Sequence, residues 1–452
     1  MRFTLDRAAF EAQEPVALAR KYLSRHQEEL ARLDRLDGYY RGRHPILDRD
    51  KDGGLANNRL VCNHARYITD MSVGYLVGNP VSYAGDGMDA VIDMLQAADA
   101  PTEDLDLAKD ASIFGRAYEL VYMSDGETAQ PRLACLDPRT AFVIYDDTVE
   151  RRPLMGVHYY PTFDERLNLT GYRLNAYTMD TAYAAQLDAG FGLSGEAAAQ
   201  PHYFGAVPLH EISNNEEQLG DFEPVLSLID AYNVLQSDRV NDKEQFADAI
   251  MVLTGAGLGD TEEESGEAQL QLKRKKLLEL PADGRAEYLT RQFDEASVEV
   301  LKTSLESDIH KFSMVPKLTD QDFAGQASGV AIKYKLLGFE QLALVKERYF
   351  REGLRYRLRL LAAVARLRGG SGSPEEGASI AFTRNLPANL LELAQTIQAL
   401  SGHVSEETLL KLLPIVEDPA AELTRLRADK ADAARLQRES FGALTLGGGD
   451  DR

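Results

Sequence analysis

The sequence has few of the features that mark an enzyme or a membrane protein. It holds two cysteines, Cys62 and Cys135, in 452 residues. Neither belongs to a CxxC pair, and a disulfide between them cannot be argued from spacing. They read as free, mostly buried thiols of a reducing compartment. The opening "MRFTLDRAAFEAQEP" lacks the apolar core of a signal peptide. No apolar run approaches the ~18 residues of a membrane span, so no membrane partner is expected. No G-x-x-x-x-G-K-[ST] occurs, which removes the phosphate cradle of a P-loop ATPase. H-E-x-x-H and a nucleophile elbow are also absent. The eight histidines are scattered, and the nearest pair, His202 and His210, lacks a third ligand and reads as surface or strand residues. No cofactor and no metal is expected. Positive charge is also short: the net charge is −22, so the average surface repels free nucleic acid and any such contact must be local or weak.

What is present is size and pattern. The length exceeds what one core usually organises, and the 44% apolar content supports a packed interior. Pro15 to Leu36 has apolar residues at helical spacing. "NNRLVCNHARYITDMSVGYLVGNPVSY" (Asn57–Tyr83) predicts a helix capped by Asn57 or Asn58. Gly78-Asn79-Pro80 ends it through residues that tolerate a left-handed turn. Its interior is apolar nearly all round, which implies burial on several sides. From Phe114 to about Leu209 short segments rich in aromatic and β-branched residues predict an antiparallel β-meander. Asp221 reads as a cap and Pro224 as first turn of a helix reaching about Ala249, roughly 43 Å at 1.5 Å per residue. Val298, Leu301, Leu305, Ile309 and Phe312 give a second helix one apolar face. A third long helix is expected from about Ser328 to Leu367, with Arg348, Arg351, Arg355, Arg357 and Arg359 crowded near its end. Beyond "GGSGSPEEG" the chain is helical again, with Ser405 as a cap.

Three segments imitate functional motifs. "GAGLG" (255–259) after an apolar segment resembles a dinucleotide loop, but it is G-x-G-x-G and acidic residues follow. It reads as a hinge; an enzyme acting on nucleotide or nucleic acid through 255–259 is the alternative reading. "DRDKDGGLANNR" places Asp48, Asp50, Asp52 and Gly53 as a calcium loop would, yet Arg59 holds the position that needs a glutamate. The arginine set could bind phosphate, but its mixing with Glu347 and Glu352 favours ion pairs. Lys273, Arg274, Lys275 and Lys276 form a short basic run, either a solvated loop or a docking patch.

"YYRGRHPIL…NNRLVCNHARYITDMSVGYLVGNPVSY", "DFEPVLSLIDAYNVLQSDRVNDKEQFADAI" and "FAGQASGVAIKYKLLGFEQLALVKERYFREGL" follow one another in this order. Together they resemble the portal proteins of tailed bacteriophages, the head-to-tail connectors, specifically the long-tailed type first known from Gram-positive hosts. The match covers roughly Leu36 to Leu361, more weakly through "SEETLLKLLPIVEDPAAEL", and departs around Asp48 and between Ile250 and Phe293. The resemblance implies a helix-rich α+β portal fold and no enzymatic activity. Residues 1–220 would be the wing, 221–249 and 294–313 the two stem helices, and 250–293 a small α/β clip. Residues 314–328 would be a tunnel loop, 329–385 the tunnel helix and its return to the wing, 386–440 a helical crown, and 441–452 a disordered tail.

Its implied function is a ring, usually a dodecamer, at the capsid vertex of the virion, assembled in the host cytoplasm. Its implied partners are other copies of itself, the terminase large subunit, a head-completion or tail adaptor protein, scaffold and major capsid protein, and double-stranded DNA held weakly and without sequence preference. Implied site residues are Lys317, Asp320, Gln321, Asp322, Phe323, Gly325, Gln326 and Ser328 in the tunnel loop. Lys333, Lys335, Glu340 and Lys346 follow on the tunnel helix, and Lys273 to Lys276 would dock partners at the clip.

Overall fold

The computed structural model describes residues 2–51, 56–126, 129–247, 250–254, 266, 284–289, 295–318, 334–370, 372–384, 390–410, 412–413, 416 and 422–433. It divides into two units, residues 1–327 with 331–385, and residues 328–330 with 386–452.

The first unit opens with strand β1 (Phe3–Leu5) and short helix α1 (Arg7–Glu11). Helix α2 (Pro15–Tyr40) begins with proline in its first turn and the Glu14 carboxylate accepting from the Val16 and Ala17 amides. Helix α3 (His64–Val77) is followed by strand β2 (Ser82–Ala84), then α4 (Asp89–Ala97) and α5 (Ala100–Phe114). The meander follows as β3 (Arg116–Met123), β4 (Pro131–Leu136), β5 (Ala141–Asp146), β6 (Pro153–Phe163), β7 (Leu169–Tyr177), β8 (Thr181–Leu187), β9 (Ala198–Pro201) and β10 (Leu209–Ser213). It is not one sheet. Six strands run in the order β1-β5-β6-β7-β8-β9, and three more in the order β10-β3-β4. β1 joins parallel to β5, so the N-terminal residues close an edge that the repeating pattern did not reveal. Gly115, at φ +84°, makes the corner between α5 and β3; a Cβ there would lie 2.0 Å from the Gln218 carbonyl oxygen.

Helix α6 (Leu226–Ala247) and helix α7 (Glu295–Ser313) pack together, with antiparallel strands β11 (Ile250–Thr254) and β12 (Arg285–Leu289) between them in sequence. The 31-residue helix α8 (Leu337–Leu367) follows, with a helical turn already at 334–335. Strand β13 (Ser379–Ala381) then pairs with β2. In the second unit, α9 (Leu390–Leu400) and α10 (Glu406–Leu410) are followed by a helical stretch at 422–433. The Ser405 hydroxyl accepts from the Thr408 amide (3.3 Å), the cap expected there.

Helix α8 links two cores. Its N-terminal third places Phe339 and Ala343 among Ile68, Phe222, Ile229 and Ile309, residues of α3, the α6 entry and α7. Its C-terminal half places Leu354, Leu358 and Leu361 among Val91, Leu107 and Val121. Burying a leucine or isoleucine in such a cluster contributes about 1.5–3 kcal/mol. Gly353 lets β10 cross the helix: a Cβ would meet Ile212 Cγ1 at 2.4 Å.

Three local expectations change. The helix predicted over Asn57–Tyr83 covers only His64–Val77, and Asn63, not Asn57 or Asn58, caps it by accepting from the Arg66 amide (2.9 Å). Gly78 is right-handed (φ −63°), so Pro80 ends the helix without a left-handed residue. Asp221 is not a cap either; it is buried, and α6 begins at Leu226 after a 3-10 turn at Glu223–Val225.

Candidate functional site

The pairing of α6 with the chain around it begins from a sequence anomaly. The predicted apolar stripe of α6 gives way to a polar stretch, and Asn233, Ser237 and Asn241 are buried. They recur every four residues, so they share one face of the helix. On that face lies the extended segment 56–63, whose alternate amides they receive. Asn233 Oδ1 accepts from Cys62 N (2.8 Å), Ser237 Oγ from Leu60 N (2.9 Å) and Asn241 Oδ1 from Asn58 N (2.6 Å). A strand is thus laid along a helix by side chains, which satisfies backbone donors that have no sheet partner. Asn57 and Asn58 do their work here: Asn57 donates to the Arg49 carbonyl, and Asn58 to Asn241 and Glu244. Replacing Asn233 with alanine strands the Cys62 amide. We expect a loss of about 1–3 kcal/mol in denaturant unfolding. Val234→Ala, at a 42% exposed position on the same helix, is the control and should change little.

Beyond their shared apolar cluster, α6 and α7 are joined by ion pairs. Arg239 pairs with Glu299 (2.9 Å) and Lys243 with Glu295 (3.0 Å). The predicted apolar face of α7 divides: Ile309 is buried and Leu305 packs beside it, while Leu301 and Phe312 remain 51% and 57% exposed.

The chain leaves α7 through Met314, a non-glycine residue at φ +58°, a conformation that costs on the order of 1 kcal/mol. The exit is pinned at three points. The His310 Nδ1–H donates to the Val315 carbonyl (2.9 Å). The Tyr67 hydroxyl on α3 donates to Pro316 O (3.1 Å) and accepts from Leu318 N (3.0 Å). Lys317 Nζ pairs with Glu306 (2.7 Å). Lys317, expected in the tunnel loop as a channel residue, therefore has its charge matched at the root of that loop. Asp320, Gln321, Asp322, Phe323, Gly325, Gln326, Ser328 and Lys333 lie outside the described residues, as do Lys273 to Lys276 and the glycine segment 255–259. Lys335 is exposed. β11, which precedes that glycine segment, pairs antiparallel with β12 in a two-stranded sheet; a dinucleotide loop instead follows a strand of a parallel sheet.

Two expected tunnel-helix residues turn inward. Glu340 accepts from the Tyr75 hydroxyl (2.5 Å) and from Arg384 (3.2 Å). Lys346 is buried at 5% exposure against Asp221. The same carboxylate accepts from Ser112 Oγ (2.6 Å) and Asn214 Nδ2 (2.8 Å). Lys346 is thereby corrected from a channel candidate to an internal partner: a buried ammonium is tolerated only beside a paired, hydrogen-bonded carboxylate. This site ties α8 to the segment that leads into α6. Sequence reading missed it, because Asp221 looked like a helix cap.

The arginine run on α8 also divides. Arg351 bonds Glu347 one turn back. Arg357 is fully buried; its Nη2 lies 2.7 Å from both Asp104 and Glu119, and its Nε is 2.9 Å from both Glu119 oxygens. Burial raises the Asp104 carboxyl above its usual range, and the arginine opposes that. His210 Nε2 sits 3.3 Å from Glu119, yet burial and then Arg357 push the imidazole down to about 3, so it stays neutral. One signal could have marked Arg357: at this spacing it shares a face with Leu354, Leu358 and Leu361. Arg348, Arg355 and Arg359 are exposed.

Neither thiol is disulfide-bonded. Burial raises both above the ordinary thiol range, Cys135 further because Asp110 stands 3.5 Å away. Thiolate chemistry is therefore disfavoured at both. Among the described residues no group of three metal-ligating side chains converges, and no helix is long and apolar enough to cross a membrane. The arrangement is architectural: helices, strapped strands and buried ion pairs hold a loop root and a long spine in place.

Residues 19–436 match the model of the family described as "Phage portal protein, SPP1 Gp6-like". The chain belongs to this phage portal family. The portal protein of Bacillus phage SPP1 is 25% identical over 420 residues, covering 88% of this chain and 81% of that one. The portal protein of Clostridium phage phiCD119 is 25% identical over 404 residues, covering 84% and 87%. Among solved structures, the neck of an empty gene transfer agent particle, computed with C6 symmetry, aligns with a TM-score of 0.40 at 14% identity, covering 77% of this chain and 88% of that one. The neck of the native particle, computed with C12 symmetry, aligns at 0.39 and 13%, over the same shares.

Proposed function

We propose that copies of this portal protein close into a ring, a dodecamer, whose hole conducts double-stranded DNA into and out of a phage head. The family match over residues 19–436 carries this reading. The α6–α7 pair with its β11–β12 extension serves as stem and clip, α8 as the tunnel helix, and residues 314–328 as a loop facing the passage. The terminase large subunit docks at the clip during packaging, through Lys273 to Lys276. An adaptor protein takes its place afterwards; scaffold and major capsid protein surround the ring at the vertex. Assembly takes place in the host cytoplasm.

The charge balance supports a passive conduit. DNA presents about one negative charge per 1.7 Å of axis, and at a net charge of −22 the average surface of the subunit repels it. The terminase supplies the hydrolysis.

Purified protein viewed by electron microscopy should show rings with a central hole; persistent single subunits under all conditions would overturn the proposal. No ATP turnover is expected from the pure chain, and a sustained rate would reinstate the enzyme reading. Deleting Asp320–Gly325 should leave rings intact and impair packaging or retention of DNA; failure of rings to form would mean that this loop belongs to subunit contacts.

A further inference from the structure

The exposed arginines of α8 are not used by anything described so far. Arg348, Arg355 and Arg359 follow one another at helical spacing with Glu352 and Val345, and all five are exposed. None of the three arginines forms an ion pair among the described residues, although the chain is strongly acidic. The C-terminal part of this face opens on a groove of about 1260 Å³, bounded by the N-terminal segment and the turns before β6 and β8. Val149 and Met179 on its rim are 101% and 61% exposed. The opposite face of the same helix carries Leu354, Leu358 and Leu361 into the core, where α4 meets them through Val91, Met94 and Leu95.

The outer side of α4 and α5 has the opposite character. Asp86, Asp89, Asp93, Asp99 and Asp106 are exposed, and none forms an ion pair among the described residues. Leu105, 40% exposed, adds an apolar residue to this edge. Among the described residues one subunit thus offers arginines without an ion pair on one side of α8, Arg359 lying over the Tyr356 ring at 5.6 Å, and aspartates without one on the outer side of α4 and α5. A ring made of one chain needs such a pair of different, complementary surfaces.

Resting on the ring reading above, we propose that the arginine face of α8 in one copy receives the aspartate edge of α4–α5 in the next. The groove mixes signs, with Arg7, Arg151 and Arg152 beside Glu11, Asp180 and Glu352, so it offers no continuous basic track for a phosphate backbone, and its exposed apolar rim, Val149 and Met179, fits a protein partner better than DNA.

The test is charge reversal of the full chain in two separate variants, Arg355→Glu with Arg359→Glu, and Asp89→Lys with Asp93→Lys. All four positions are exposed, so thermal melts should match the wild-type subunit. Each variant alone should need on the order of 100-fold more protein to assemble, because like charges now meet at every contact. An equimolar mixture should recover rings. In alternating order each reversed surface meets its reversed partner, and each native surface its native one. Native mass spectrometry reads the alternation directly. Assembly of either variant at the wild-type concentration overturns the pairing, as does failure of the mixture. Intact rings from the arginine variant with loss of a DNA gel shift would assign the face to DNA and also overturn it. If wild-type protein forms no rings at all, the ring reading fails, and this inference with it.

Discussion

Replacing Arg357 with alanine should destabilise the folded subunit by about 3–5 kcal/mol, the cost of leaving buried charge without its partner. Asp104 and Glu119 are 2% and 0% exposed and would lose the arginine that pairs with both. Asp104, which burial already raises and Arg357 holds back, would then favour the protonated state more strongly, so the deficit should shrink when unfolding is measured at pH 5 instead of pH 8. Arg357→Lys should recover little, since an ammonium cannot reproduce the Nε and Nη2 contacts made at once to Glu119 and Asp104. Adding Glu119→Gln to Arg357→Met should recover part of the loss. A deficit below ~1 kcal/mol, or one that ignores pH, would show that this network is not what joins α8 to α5 and β3.

Acid should act on three imidazoles, two buried and His64 half-buried. Burial, and then Arg116, holds His26 down at about 4. Burial, and then His310, holds His64 at about 4. His210 lies at about 3. The unfolded chain takes up these protons near pH 6.5 and the folded chain does not. The stability these neutral rings contribute is therefore complete above pH 6.5 and is lost as pH falls toward 4. By pH 5 the loss is on the order of 2 kcal/mol per histidine.

Raised carboxyls act in the opposite direction. Asp110, pushed up to about 7 by burial and then by Asp137, gains a proton first in the folded state, so its contribution falls as pH rises from 4 to 7. The measurement is therefore a difference between variants. His26→Gln loses contacts with Tyr159 and Pro138 but should narrow its gap to wild type between pH 7.5 and pH 5. Asp110→Asn should widen its advantage between pH 4 and pH 7. Parallel stability curves for wild type and His26→Gln across that range would mean that His26 titrates normally in the fold.

Much of the architecture can be read from local pattern. The spacing of Val225, Leu228, Ile229 and Tyr232 announces α6, and that of Leu354, Leu358 and Leu361 announces the C-terminal half of α8. Short aromatic segments after Phe114 announce the strands. What local pattern could not supply is the partner of each polar group. Asn57 and Asn58 have good capping chemistry, yet Asn58 bonds to α6, more than 180 residues away, and Asn57 to the Arg49 carbonyl. Alternation could not say that the meander divides between two sheets, because β10 reaches β3 from across the chain.

Composition and periodicity by themselves determined the helices, the strand-rich stretch, the acidity and the order of the motifs, because these depend on neighbours within a few turns of chain. Only the tertiary structure decided that Lys346 is paired with Asp221, 125 residues away, that Arg357 is paired with Glu119, 238 residues away, and that Arg355 and Arg359 are exposed with no ion pair among the described residues. A charged side chain's role follows from its desolvation and its nearest counter-charge, and both are set by which distant segments the fold brings together.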